Sequence, residues 1–192
     1  MLDPLALLKT RKSISASFLS APAPSEAELD DILSIASRVP DHGKLSPWRF
    51  ILFKGDAGAR AGGMLADLFR RRNPQADEKA LDEERKRLAQ APLVVGVVST
   101  AAPHVKIPEF EQLLSAGNAA MSILLAAHAL GYAGQWTTGW IAYDDEAGRI
   151  LGLKSGERFV GFVHLGTPTA PLGDRPRPTL SDIVSDWQPP AG

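Results

Sequence analysis

Cysteine is missing from all 192 residues, which removes disulfides, Cys-ligated zinc, iron–sulfur clusters and a thiol nucleophile together. Secretion gains no support from this, and the cytoplasm is the expected compartment. A surplus of charge is missing too. Twenty-one Lys and Arg stand against 22 Asp and Glu, so no global field draws nucleic acid or an anionic membrane, and an anionic ligand must be held by a local cluster. No glycine-rich dinucleotide fingerprint follows a predicted strand, no phosphate loop ends in Gly-Lys-Ser/Thr, and no Gly-x-Ser-x-Gly elbow occurs. Rossmann, nucleotide-triphosphatase and α/β-hydrolase chemistry thereby lose their main signals. The four histidines, His42, His104, His128 and His164, show neither metal-ligand spacing nor a neighbouring nucleophile, and His128 and His164 read as satisfied core residues. With no repeat and no composition break, residues 1–192 read as one domain with a sizeable core. The segment Met1 to Arg11 has no cleavage-like site and does not read as a signal peptide.

What is present begins with Asp3-Pro4 ahead of Leu5, Leu7 and Leu8, which predicts a capped helix ending near Thr10. Arg11-Lys12-Ser13 lies at its exit. Ser25 and Glu28 have capping-box spacing before Leu29, Ile32, Leu33 and Ala36, so a second helix runs from there until Pro40 stops it. Trp48 to Lys54 reads as a strand, and Ala57 to Arg72 as a helix whose Arg70-Arg71-Arg72 needs only helix-end and surface roles. A charged helix is predicted over Asp77 to Ala89, with Asp82 facing Lys86 and Glu83 facing Arg87. Leu93 to Val98 is nearly all aliphatic, the pattern of a central strand buried on both sides.

Leu113 to Leu130 is apolar or small almost all round, with Gly131 as its cap. Its length is close to the ~20 residues that span a bilayer. Ser115, Asn118, Ser122 and His128 interrupt it, however, and no basic cluster borders it. Packing against its own copy in a homodimer is the expected cause of burial. A short helix from Asp144 to Leu151, a strand from Phe159 to Leu165 and a proline-rich tail from Pro168 to Pro178, extended over a surface or partner, complete the chain. This order gives a three-layer α/β or α+β arrangement.

Arg11, Lys12 and Ser13 offer two cations and a hydroxyl suited to a phosphate monoester, although basic residues at a helix end also complement its dipole. One capped helix later comes Arg38-Val39-Pro40-Asp41-His42-Gly43-Lys44-Leu45-Ser46-Pro47-Trp48-Arg49-Phe50. Ser115-Ala116-Gly117, Gly134-Gln135-Trp136-Thr137-Thr138-Gly139 and Leu165-Gly166-Thr167-Pro168 follow in order. Across its whole length the chain resembles the nitroreductase family, and within it the minimal, YdjA-like branch.

The resemblance implies an α+β, three-layer α/β/α fold, with a mixed, mainly antiparallel sheet flanked by helices and a long buried helix at a dimer interface. It implies FMN at the subunit interface of a homodimer, NADH or NADPH as donor, and ping-pong hydride transfer to a small acceptor such as a nitroaromatic or quinone. The chemistry would lie on the flavin, with no metal and no acid or base side chain. Arg11, Lys12 and Ser13 would hold the flavin phosphate and ribityl chain, and Arg38 and His42 would reach the same flavin from the partner chain. Trp136, Thr137 and Thr138 would run beside the ring, and the stretch from Ala126 to Gly131 would face the nicotinamide. Arg175 and Arg177 would add charge at the phosphate or form a solvated tail. Bland alternatives stand beside these: Arg38 in a helix's last turn, Trp136 in the core. Lys12 stands where a second Arg is common, Ser46 where Gln often precedes Pro-Trp, and Thr137 where the nearest branch has Arg. These departures sustain a rival reading, a flavin-binding carrier or redox sensor without turnover.

Overall fold

The computed structural model describes residues 3–170 and 173–190; Met1 and Leu2 of the N-terminal segment, Pro171 and Leu172 of the proline-rich tail, and Ala191 and Gly192 lie outside the described residues. The elements run α1 Pro4–Thr10, β1 Leu19–Ser20, α2 Glu26–Ala36, β2 Trp48–Lys54, α3 Ala57–Arg72, α4 Glu78–Lys86 and β3 Leu93–Ser99. They continue with α5 Glu109–Ala129, β4 Ala133–Thr137, α6 Asp145–Ile150, β5 Arg158–Pro168 and α7 Leu180–Ile183.

Helix ends follow the local signals. Asp3 accepts from the Leu5 N–H, and Ser25 and Glu28 form the reciprocal capping box at α2. Tyr132 donates to the same Glu28 carboxylate at 2.9 Å, tying the start of α2 to the exit of α5. Ser25→Ala should lower stability by about 1 kcal/mol, read as a shifted urea midpoint with an unchanged slope. At the end of α5 the Tyr132 N–H reaches the Ala127 carbonyl and the Gly131 N–H reaches that of His128, with Gly131 at φ +90°. That pattern satisfies the last carbonyls and needs a residue without a Cβ.

β3 is the hub of the sheet, as its aliphatic run predicts, and all of its residues are buried. Its alternation separates two cores. Leu93, Val95 and Val97 pack with Leu29 and Ile32 of α2 and Ala120, Ile123 and Ala127 of α5. Val94 and Val98 pack with Phe53, with Leu65 and Leu68 of α3, and with Phe159 and Phe162 of β5. Helices therefore cover both faces, the expected three layers. β5 pairs with β3 along one stretch, with β4 over Phe162–Gly166, and with β1 at Thr167–Pro168. Every pairing among the described residues is antiparallel.

Four details differ from the sequence expectations. α5 starts at Glu109, and its Ala120, Ile123, Ala126 and Ala127 are buried by α2 and the sheet of its own chain. Small residues masked that helical face, because alanine on a buried stripe scores little more than alanine on a surface. The opposite side leaves Phe110 68% and Leu114 52% exposed. The segment after α5 is a strand through Thr137, so the Gly134–Thr137 motif forms a sheet edge and not a connecting loop. In α4, Asp82 pairs with Arg85 and Glu84 with Arg87, three apart, in place of the expected four-apart pairs. Glu84 is drawn inward, only 5% exposed, and takes Arg87 with it. Beyond Pro178 the tail makes one helical turn, α7, that the prolines did not announce.

Arg70 pairs with Glu78, Arg71 with Glu146, and Arg72 with both Asp144 and Glu146. The triple arginine thus clamps α3 to α4 and α6, as its helix-end position suggested. Among the described residues no helix is long and apolar enough to cross a membrane.

Candidate functional site

After Thr10 the chain leaves α1 extended and runs beside β4. The Ile14 N–H donates to the Gly134 carbonyl at 3.0 Å, and the Ala16 N–H to Gln135 Oε1 at 2.8 Å. His128 sets its Nε2 3.1 Å from the Lys12 carbonyl and its Nδ1 2.7 Å from that of Leu124. A neutral ring has one N–H for these two carbonyls, and the contacts hold the basic segment against α5. Two motifs more than a hundred residues apart, Arg11-Lys12-Ser13 and Gly134–Thr138, are thereby neighbours. The tail returns to the same place. Arg177 donates to Asp174 at 2.7 Å, and this bond, with a smaller contribution from the charge of Lys12, holds the Asp174 carboxyl below its ordinary range. Arg175 is bound to Asp174 through its backbone N–H.

β4 separates two cavities. Trp136 points to one side and lines a groove of about 1280 Å³ with Leu114, Gly117 and Met121 of α5, Tyr143, and Val160 of β5. A register shift leaves Val160 unpaired with β3, and its carbonyl accepts the Trp136 indole N–H at 3.2 Å. The bulge needs Gly161 at φ +150°, where a Cβ would come 2.6 Å from the Thr137 carbonyl oxygen. Thr137 faces the other way, with Oγ1 3.1 Å from His164 Nε2. Together with Thr138, Gly139, Gln135, Arg87 and His164 it lines a cavity of about 520 Å³. The side chains of Trp136 and Thr137 therefore cannot flank one ring; strand alternation sends them to opposite sides, and only their backbone can serve a shared ligand.

The second cavity is rich in donors. Glu84 grips Arg87 through Nε at 2.7 Å and Nη2 at 2.5 Å, and accepts the Trp140 indole N–H at 3.0 Å. The Arg87 Nη1 lies toward Gly139, 3.2 Å from where a Cβ would stand. Gln135 spends its carbonyl on Ala16, which leaves its NH₂ for the cavity. Glu83 and Gln90 add acceptors to the same lining, while the Arg87 and Gln135 donors fit carbonyl or phosphate oxygens of a ligand. His164 is 3% exposed, its Nδ1 has no partner among the described residues, and burial pushes its pKa down to about 4. It is core, as expected, but only half satisfied. Arg87, Gln135 and His164 were not singled out from sequence. Gln135 lay inside a recognised motif, whereas nothing in a charged helix end marked Arg87.

Arg38 is exposed just past α2, and His42 sits with Nδ1 2.7 Å from Glu111 Oε2 in the first turn of α5. Ser115 Oγ donates to the Pro40 carbonyl at 2.5 Å and holds this loop down. Neither residue lines either cavity of its own chain. Ala126 is 3% exposed and packed in the core between α5, α2 and the sheet, so it has no surface for a nicotinamide; Gly131 is exposed. Among the described residues no group of three or more His, Asp or Glu could hold a metal ion.

At the rim of the groove Arg49 donates through Nε and Nη2 to both oxygens of Glu157, at 2.7 and 2.5 Å. Chiefly through these bonds the Glu157 carboxyl falls from 4.5 to about 2. A folded-state pKa below the unfolded value gives stability present above the unfolded value and lost on acidification. Stability should decline as pH falls from 4.5 toward 2, and Glu157→Gln should flatten that part of the urea-midpoint profile.

Residues 8–167 match the model of the Nitroreductase family. YdjA of Escherichia coli (strain K12), named as a candidate NAD(P)H nitroreductase, is 35% identical over 167 residues, 87% of this chain and 89% of its own. A protein of Haemophilus influenzae with the same designation is 35% identical over 172 residues, 86% and 89% of the two chains. Among solved structures, a nitroreductase-like protein from Bacillus cereus superposes with a TM-score of 0.81 over 97% of both chains at 19% identity. A mutant of NfnB from Sphigopyxis sp. strain HMH, described as an FMN- and NADPH-dependent nitroreductase, gives 0.71 over 97% and 99% at 22% identity. At these identities the likeness to the solved structures is one of fold.

Proposed function

Because the chain belongs to the nitroreductase family, a family of oxidoreductases, we propose that it is an FMN-dependent enzyme that takes hydride from NADH or NADPH and reduces a small acceptor such as a nitroaromatic or quinone. The observation that carries this reading is the junction at β4, where Arg11-Lys12-Ser13 runs alongside the strand that opens the donor-lined cavity. Arg11, Lys12 and Ser13 would hold the phosphate, with Arg175 and Arg177 brought near by Asp174. Gln135, Thr137, Thr138 and Arg87 would hold the ring. When bound, FMN supplies the two-electron redox chemistry these side chains lack, in two ping-pong half-reactions at one place. The protein's share is electrostatic. Glu84 fixes the Arg87 guanidinium before any ligand arrives, which orients its Nη1 as a donor at the cavity.

A homodimer is part of the proposal. Phe110 and Leu114 on α5 and Leu180, Ile183, Val184 and Trp187 of the tail are more than half exposed and would be covered in part by a second copy. Arg38 and His42, which line neither cavity of their own chain, would meet the ligand of a second copy. On the nicotinamide side Gly131 remains, and Ala126 is withdrawn.

Purified protein should be a yellow dimer by size-exclusion mass analysis, and its flavin bands should bleach with NADH or NADPH in the absence of oxygen. Colourless protein that ignores added FMN would remove the reading. Steady NAD(P)H consumption with a quinone separates an enzyme from a carrier or sensor, which would bind FMN and stop there.

A further inference from the structure

The buried, half-satisfied His164 sits beneath the cavity between β4 and the end of α4, and its protonation geometry decides what Thr137 can offer a ligand. Only 3% exposed, with its pKa pushed down to about 4, the ring is neutral near pH 7 and carries one N–H. Two tautomers are available. With the proton on Nδ1, a donor would be buried with no acceptor, and Nε2 would take the Thr137 hydroxyl proton. With the proton on Nε2, the N–H donates to Thr137 Oγ1 at 3.1 Å, and only a bare lone pair is left unpaired at Nδ1. Buried N–H groups without acceptors are much the rarer and costlier defect. The Nε2–H tautomer therefore prevails, and it takes one of the two lone pairs of the Thr137 oxygen. The Thr137 hydroxyl proton is then turned away from His164, and among the described residues no other hydrogen bond of that hydroxyl is present. Thr137 and His164 both line the cavity.

We propose that His164 is a positioning residue that commits the Thr137 hydroxyl as a hydrogen-bond donor to an acceptor atom of the ligand in this cavity. Resting on the flavin reading, the ligand class is a heteroaromatic ring bearing carbonyl oxygens or bare ring nitrogens. His164 touches no reacting atom; it acts through Thr137.

The test has two arms. In the first, nitrogen-15 NMR of histidine-labelled, flavin-free protein reads the His164 tautomer directly, without any variant. A proton on Nε2 is expected; a proton on Nδ1 overturns the proposal whether or not FMN binds. In the second, FMN dissociation constants are measured by fluorescence for the wild type, Thr137→Val, Thr137→Ser, His164→Leu and the double variant, with each fold checked by circular dichroism. Thr137→Val should weaken binding about tenfold, the size of one hydrogen bond, and Thr137→Ser should restore most of it. His164→Leu should weaken binding less, and the double variant should be no worse than Thr137→Val alone, because both act through one hydroxyl. Additive effects, or a Thr137→Val protein that binds FMN as tightly as wild type, would refute the donor role while leaving the flavin reading intact. Wild-type protein that binds no FMN would remove the flavin reading and the ligand contact together, a result told apart by its appearing before any substitution.

Discussion

Arg11→Ala should raise the FMN dissociation constant ten- to a hundredfold, the loss of about 1.5–3 kcal/mol expected for a hydrogen bond to a charged group. The effect should be confined to binding. The Arg11 N–H bond to the Leu7 carbonyl is a backbone bond that survives the change, and the side chain lines a shallow cavity with Leu7, His128 and Tyr132 without anchoring an element. The unfolding midpoint of the flavin-free protein should therefore shift by no more than about 0.5 kcal/mol. Fluorescence titration at two salt concentrations checks both parts, since removing a cation that faces the phosphate should also make binding less sensitive to salt. Unchanged affinity would take Arg11 out of the phosphate site and leave the basic segment to its helix-dipole role.

Gly161→Ala should destabilise the fold by about 2–5 kcal/mol, from left-handed backbone strain and from overpacking at a site with no room. The added Cβ would lie 2.6 Å from the Thr137 carbonyl oxygen and 2.7 Å from Trp136 Cδ1. A flexible side chain could move aside, but a carbonyl in a strand cannot move without its strand. β4 would be pushed off β5, and the Trp136 to Val160 bond, together with the donors facing the second cavity, would shift with it. Chemical unfolding and FMN titration on the same protein should show both losses. Stability within about 0.5 kcal/mol of wild type would mean that β4 yields freely and that the bulge does not fix the cavity.

Much of this architecture was readable in the chain, and the reasons are local. Asp3, Ser25 with Glu28, and Gly131 act on backbone groups within a few residues of themselves, so their roles as caps appear in sequence and reappear in the structure. The aliphatic run of β3 was legible because burial on both faces leaves no polar position to blur it. α5 was harder. Its buried stripe is mostly alanine, and a pattern in small residues does not say which neighbour covers it. The candidate site was legible as motifs but not as geometry. Nothing in the order Gly134-Gln135-Trp136-Thr137 showed that the segment was a strand, and the opposite facing of Trp136 and Thr137 follows only from that. His164 looked like an ordinary core histidine because its missing partner is a property of three-dimensional surroundings. Arg87 entered the site only because Glu84 turns inward, a consequence of how α4 packs.

β5 borders β1, β3 and β4, yet among the described residues it is the last strand in chain order. A nascent chain that has emerged only as far as Ser155 holds the β2–β3 pair and both helical layers but not the strand to which β4 and β1 hydrogen-bond. The closing pairs join Leu19 to Pro168 and Ala133 to Gly166, pairings that cost loop-closure entropy before they return anything. Assembly of the sheet is therefore a late, cooperative event in translation, and a chain stopped before Arg158 should remain a protease-sensitive intermediate. The Arg11-Lys12-Ser13 segment, synthesised well before β4, lies beside a strand that enters the sheet only through β5.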